Sequence, residues 1–221
     1  MIGMLGHEIA NPLAAIVGFS GTALEHWERL TPEKKLHSMA AVGRNADRLG
    51  AILQEFLAMV TVESGELTAR PVPVRVTERL AGVVEAAGGD LTVDGPPDAV
   101  AVVRPGHLDQ IVANLLSNAA KYGGGAVALT VRRDGGSVRI DVEERGPGVP
   151  ESFRARLFDR FSRDPATAAE VRGTGLGLYI VRELARANGG DVVHRAHPAG
   201  GSVFTLILPE GATRGRDGLT G

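Results

Sequence analysis

The chain is predicted to be α+β: an antiparallel helical hairpin ahead of a sandwich of helices on one face of a sheet. Three observations predict this. The first 63 residues carry two long runs of apolar residues at three- and four-residue steps, the spacing of one helix face. After Ser64-Gly65-Glu66 that period stops, and short runs follow, several alternating every second residue as half-buried strands do. Three further helical patterns occur in the same stretch, and one sheet with helices on one face is the arrangement that buries both.

The elements follow in order. Residues 4–29 are a predicted helix, with Leu5, Ile9, Leu13, Ile16, Ala23, Leu24 and Trp27 on its apolar stripe. Residues 32–63 are a second, carried by Leu36, Met39, Ala46, Leu49, Leu53, Phe56 and Val60. Thr31-Pro32 separates them: a threonine suits the N-cap and a proline the first helical position. Pro12 removes one backbone donor inside the first helix and is expected to bend it. A hairpin alone has one apolar seam and too little core, so two hairpins from two chains are expected to pair as a four-helix bundle, making a homodimer. The competing arrangement is a hairpin packed on its own C-terminal half.

Beyond the hairpin, strands are predicted near 91–93, 99–103, 126–132, 137–143, 191–195 and 202–208. Helices are predicted near 76–87, 105–121 and 175–188. Asp134-Gly135-Gly136 reads as a hairpin turn. From about Glu210 the chain is Gly-rich and polar and is expected to fray. The domains expected are therefore 1–64, 65–210 and a tail over 211–221.

Bulk properties exclude several classes of function. With 43% hydrophobic and 23% charged residues the 221-residue chain is globular in composition. A net charge of −2 gives no field to attract nucleic acid, and 4% aromatic residues make a poor stacking platform for single strands. No cysteine is present, which removes disulfides and thiolate metal sites. No apolar run approaches the roughly 20 residues that span a bilayer.

Chemistry concentrates in a few segments. His7 and Asn11 stand four residues apart and project from one helix face, with Glu8 turned about 100° away. A neutral imidazole has a ring nitrogen free to attack, and a neighbouring carboxylate can take the proton from the other nitrogen. A surface histidine on a helix is the competing reading. Asn114 and Asn118 repeat the four-residue spacing, followed by Lys121 and Tyr122. Asparagine is a poor helix-interior residue, so two on one face mark a polar site. An amide oxygen suits Mg²⁺, and Lys121 can meet phosphate as a point charge. Glu144-Arg145-Gly146-Pro147-Gly148 puts a carboxylate before a sharp turn, where it can accept from an exocyclic amine. Gly173-Thr174-Gly175-Leu176-Gly177 precedes an apolar helix whose free amides can hold phosphates. Its spacing is neither that of a P-loop nor of the dinucleotide fingerprint. The charged stretch from Ser162 to Arg172 reads as a lid, anchored by Phe158 and Phe161. His194 and His197 read as ordinary surface residues.

Taken in order, these segments resemble the catalytic core of the sensor histidine kinases of two-component systems, over residues 2 to 209. His7 to Leu13 resemble the H-box, Asn114 to Tyr122 the N-box, Glu144 to Gly148 and Gly173 to Gly177 the glycine boxes, and Leu157 to Phe161 the F-box. Gly200-Gly201-Ser202-Val203-Phe204 resembles the family's last glycine element. The resemblance implies a phosphoacceptor hairpin followed by an ATP-binding domain of the gyrase–chaperone–kinase–mismatch-repair (GHKL) type. It makes His7 the phosphoacceptor, Glu8 the base and Asn11 the residue supporting dephosphorylation of the partner. It makes Asn118 the Mg²⁺ ligand and puts Asn114, Lys121 and Tyr122 beside phosphate and ribose. Glu144 stands where the family has Asp, and with its extra methylene ATP binding is expected to persist but to be weakened, or tuned to a displaced adenine. The partner implied is a response-regulator receiver domain, which takes the phosphoryl group on an aspartate and is also a phosphatase substrate. The alternative is a nucleotide-sensing dimeric scaffold without kinase turnover. A cytoplasmic location is expected. Because fewer than two helical turns precede His7, the chain is expected to be part of a larger sensor.

Overall fold

In the computed structural model the described residues are 2–64, 70–86, 91–165 and 173–212. The predicted boundary at residue 65, the second half of the charged stretch 162–172 and the tail beyond 212 lie outside them. Helix α1 spans Ile2–His26, closed by a 3-10 turn at Trp27–Arg29, and α2 spans Pro32–Glu63. The start of α2 is set locally. Thr31 is extended, its hydroxyl accepts from the Lys34 amide at 3.4 Å, and Pro32 takes the first helical position. Helix α1 continues through Pro12 as a single element.

The hairpin buries Ala23, Ala41, Ile52 and Met59 between its helices and against the rest of the chain. It leaves Leu13, Val17, Leu24, Leu36 and Leu57 exposed, Leu24 at 83%. Its seam therefore uses only part of each apolar stripe.

The second half begins with β1, Val72–Arg75, and α3, Val76–Ala86. Strands β2 (Val93–Asp94) and β3 (Val100–Val103) precede α4, Pro105–Tyr122. The hairpin β4 (Ala126–Asp134) and β5 (Ser137–Glu144) follows, then a single helical turn α5, Glu151–Arg154. Helix α6 (Gly177–Ala187) and strands β6 (Asp191–Ala196) and β7 (Ser202–Pro209) complete the fold. The main sheet has the order β2-β4-β5-β7-β6, with β2 parallel to β4 and the remaining neighbours antiparallel. Strands β1 and β3 form a separate antiparallel pair.

Strand β5 shows why the sheet lies as it does. Val138, Ile140 and Val142 alternate onto the core face, against Leu206 and Leu208 of β7 and the helices. The same parity turns Glu144 inward. The β4–β5 turn is two glycines with φ of 55° and 88°, the left-handed pair that matches strand twist. Helix α4 packs Leu108, Ile111, Val112 and Leu115 into this core and turns its asparagines away from it.

Three features differ from expectation. Strand β1 was not anticipated: Pro73 interrupts its pattern, and the strand is short and pairs only with β3. The turn α5 was also missed. Glu210 and Gly211 do not fray: Glu210 donates its amide to the Gly136 carbonyl at 2.9 Å and Gly211 to Val100 at 2.8 Å.

A buried polar knot closes the helix side. The Asn188 side chain accepts from the Arg104 amide at 2.8 Å and donates to the Leu184 carbonyl at 2.7 Å. Its amide nitrogen also faces His107 Nδ1 at 3.0 Å. Since that nitrogen is the donor, His107 must be neutral with Nδ1 as acceptor. Burial, and then the Arg104 guanidinium, push the His107 pKa below its ordinary value of 6.5. The unfolded chain therefore binds the proton first as pH falls. This contribution to stability is whole above about pH 6.5 and is lost on acidification through the window below it. Melting temperature should fall between about pH 8 and pH 5, with a shallower slope in His107→Gln. An unchanged slope in that variant would show that the knot does not titrate.

Candidate functional site

A cavity of about 300 Å³ opens between α4, the ends of β5 and β7, and the start of α6. Asn114, Ser117, Asn118 and Lys121 line it from successive turns of α4. Positions spaced by three and four residues share one helix face, so the pattern that buries one side of α4 presents the other to the cavity. The Asn114 side-chain nitrogen is buried with no partner among the described residues, a donor left for a ligand. Tyr122 lines the cavity at the end of the helix.

Glu144 and Ser202 are register partners at the ends of β5 and β7, and both line the cavity. Glu144 is only 5% exposed. Its Oε2 accepts from the Gly146 amide at 2.7 Å, so the longer side chain is folded back onto its own turn. The Ser202 hydroxyl is buried and unpartnered. The turn is held by close backbone approach. Gly148 has φ +73° and Gly201 φ +95°, and a Cβ on Gly148 would lie 3.0 Å from the Gly201 carbonyl oxygen. Gly146 supports the carboxylate without lining the cavity.

Gly173, Thr174, Gly175 and Gly177 line the opposite wall. Leu176 is fully buried, and its amide donates to the Thr174 hydroxyl at 3.1 Å. The first turn of α6 carries no acidic side chain, so the positive end of its dipole is not offset there. Gly175 has φ +71°, and a Cβ there would lie 2.8 Å from the Phe161 carbonyl carbon. Phe161 itself has φ +56°, a strained value for an aromatic residue. Ser162, Arg163 and Asp164 line the cavity beside it, so the described part of the expected lid does border the site. Arg182 stacks on Phe158 at 5.3 Å.

One lining residue comes from the hairpin. Glu55 of α2 accepts from the Thr174 hydroxyl, joining the two halves of the chain at the cavity wall. Nothing in the sequence pointed to Glu55, whose place depends on how α2 packs. Ser202 and Phe204, part of the last glycine element, also line the cavity. The strand alternation that turns Glu144 inward would have found them. His194 is not an ordinary surface residue. It is half-buried against the Phe204 ring at 5.2 Å, and burial, then Arg154, push its pKa down.

His7 and Asn11 lie exposed on α1, outside this cavity. Glu8 is half-buried, and Arg48 of α2 donates to its Oε2 at 2.7 Å. Among the described residues no cluster of three or more His, Asp or Glu side chains could hold a metal ion.

Residues 1–65 match the family described as His Kinase A (phospho-acceptor) domain. Residues 103–212 match that of the histidine kinase-, DNA gyrase B-, and HSP90-like ATPase. The sensor histidine kinase component HK1 of Mycobacterium tuberculosis is 40% identical over 124 residues, 56% of this chain and 73% of that protein. The sensor protein DivL of Caulobacter vibrioides is 34% identical over 219 residues, 95% of this chain but 28% of DivL. Full-length ShkA, crystallised in complex with AMPPNP, superposes with a TM-score of 0.66 at 28% identity, over 95% of this chain and 45% of that one. The chain thus spans less than half the length of DivL and of ShkA.

The backbone contact behind the site is directly testable. A Cβ on Gly201 would overlap the Glu144 carbonyl oxygen and lie 2.8 Å from the Arg145 Cα. Gly201→Ala should destabilise the fold by at least about 1–3 kcal/mol, seen as a lower melting temperature. Gly124→Ala, where φ is also positive but a Cβ meets open space, should cost less. Equal losses at the two positions would remove the packing explanation.

Proposed function

The chain belongs to the sensor histidine kinases of two-component systems, and from its geometry we propose that it binds ATP and phosphorylates itself on His7. The observation that carries this is the single cavity shared by Asn118, Lys121, Glu144 and the glycine strip from Gly173 to Gly177. Its lining offers a partner for each part of a nucleotide. Glu144 faces the base, Asn114 and Tyr122 the ribose and phosphates, and the amides before α6 the phosphate chain. Magnesium fits the donor set: the Asn118 side-chain oxygen would hold it, the phosphates and water filling the remaining positions, and it would offset the triphosphate charge. Lys121 adds a positive point charge at the same end.

For transfer, one His7 ring nitrogen attacks the γ-phosphorus and the bond to the leaving ADP breaks. The proton on the other ring nitrogen passes to Glu8. Arg48 fixes the Glu8 carboxylate through Oε2, and Oε1 is the oxygen we assign to that proton. The phosphoryl group then moves to an aspartate of a receiver domain. Asn11, beside His7 on the same helix face, orients water for the reverse hydrolysis. The exposed stripe of Leu13, Val17, Leu24 and Leu57 supports a homodimer through the hairpin, which would bury it. Such a kinase works in the cytoplasm, where ATP and receiver domains are, as part of a longer sensor. Among the described residues no helix is long and apolar enough to cross a membrane.

Incubation with γ-labelled ATP and Mg²⁺ should give an acid-labile, base-stable phosphoprotein that is absent in His7→Gln. Absence of label in the unaltered chain, with ATP bound, would refute kinase competence and favour the scaffold alternative. Asn118→Ala should abolish labelling and remove most of the Mg²⁺ dependence of ATP affinity. The chain should weigh twice its 23.1 kDa in light scattering. Leu24→Glu with Leu57→Glu should shift that mass towards the monomer, and a monomeric unaltered chain would refute the dimer.

A further inference from the structure

We propose that Gly123 is a positioning residue for nucleobase recognition, matched to the length of the Glu144 side chain. This rests on the nucleotide reading of the cavity. Gly123 is the first residue after α4 and is itself buried. Its backbone has φ −109°, a conformation open to any residue, so no left-handed turn requires a glycine here. What requires it is Glu144. A Cβ on Gly123 would overlap the Glu144 Oε2 and lie 2.6 Å from Cδ and 2.7 Å from Cβ of that side chain.

A second glycine closes the cradle. A Cβ on Gly146 would lie 2.8 Å from the same oxygen and 2.6 Å from the Gly123 Cα. Oε2 is thus packed between two bare backbone segments and held by the Gly146 amide at 2.7 Å. With that oxygen committed, the remaining one is the acceptor offered to the cavity, and an exocyclic amine is the donor that suits a carboxylate. The extra methylene is accommodated by folding back into the space a missing side chain leaves. On this proposal the longer Glu144 side chain serves ATP binding rather than weakening it. Shortening it retracts the carboxylate by about 1.5 Å, one carbon–carbon bond, away from its amide and its acceptor position.

The test compares Mg²⁺-ATP with Mg²⁺-purine riboside triphosphate, which lacks only the exocyclic amine, by calorimetric titration of the full chain. The unaltered chain should prefer ATP by about tenfold, the worth of one hydrogen bond to a charged acceptor. In Gly123→Ala and in Glu144→Asp that preference should shrink towards one, while affinity for the purine analogue changes less than about threefold. The double variant Gly123→Ala/Glu144→Asp should lose less than the product of the two, because the glutamate Oε2 and Cδ contacts with the added methyl group are gone and only the 2.7 Å approach to Cβ remains. Should Gly123→Ala fail to fold, Glu144→Asp alone decides. The pairing is overturned by a full ATP preference in either single variant, by tighter ATP binding in Glu144→Asp, or by strictly multiplicative losses. An unaltered chain that binds neither triphosphate overturns the nucleotide reading itself, and the pairing falls with it.

Discussion

A carboxylate on the core face of a central strand is the constraint from which the site follows. Glu144 occupies the parity of Val138, Ile140 and Val142, where an unpaired charge is expensive to bury. It is tolerated because the Gly146 amide reaches it and because the neighbouring backbone comes close. Close approach demands glycine, and four glycines, at 123, 146, 148 and 201, pack around the strand ends. The cavity opens where those strands stop. Asparagines from α4 fill one wall and the glycine strip before α6 the other.

Much of this was legible in the sequence because local rules set it. The hairpin boundary came from Thr31 and Pro32, the asparagine face from a four-residue repeat, and the β4–β5 turn from two adjacent glycines. What stayed hidden depends on tertiary packing or on broken patterns. Strand β1 hid because Pro73 interrupts a four-residue run. Glu55 hid because a glutamate on a long polar helix face carries no local mark. The strained Phe161 could not be foreseen either, since an aromatic residue does not favour positive φ and its close approach to Gly175 is a tertiary contact. The fold-back of Glu144 was visible only as an open question of length, and it took the neighbouring Gly123 to answer it.

The two halves of the chain are built to different standards of closure. The sandwich seals Leu80, Ile111, Ile140, Ile180 and Leu206 completely. The hairpin leaves large aliphatic side chains partly in water, each forgoing a fraction of the roughly 1.5–3 kcal/mol that full burial contributes. Its two helices are nevertheless held in register by the half-buried pair of Glu8 and Arg48, a contact that also fixes the residue next to His7. The arrangement leaves His7 exposed while its neighbour is fixed.

The bond between Thr174 and Glu55 has a thermodynamic corollary. A hydroxyl has one proton to give, and Glu55 holds it. An incoming phosphate oxygen can only accept, and carries the same sign of charge, so whatever anion claims that proton does so by evicting the glutamate. The work of eviction is subtracted from the anion's affinity, and by reciprocity the anion loosens the grip of the long helix on the globular half by an equal amount. Tension on the stalk and occupancy of the pocket are then two handles on one equilibrium.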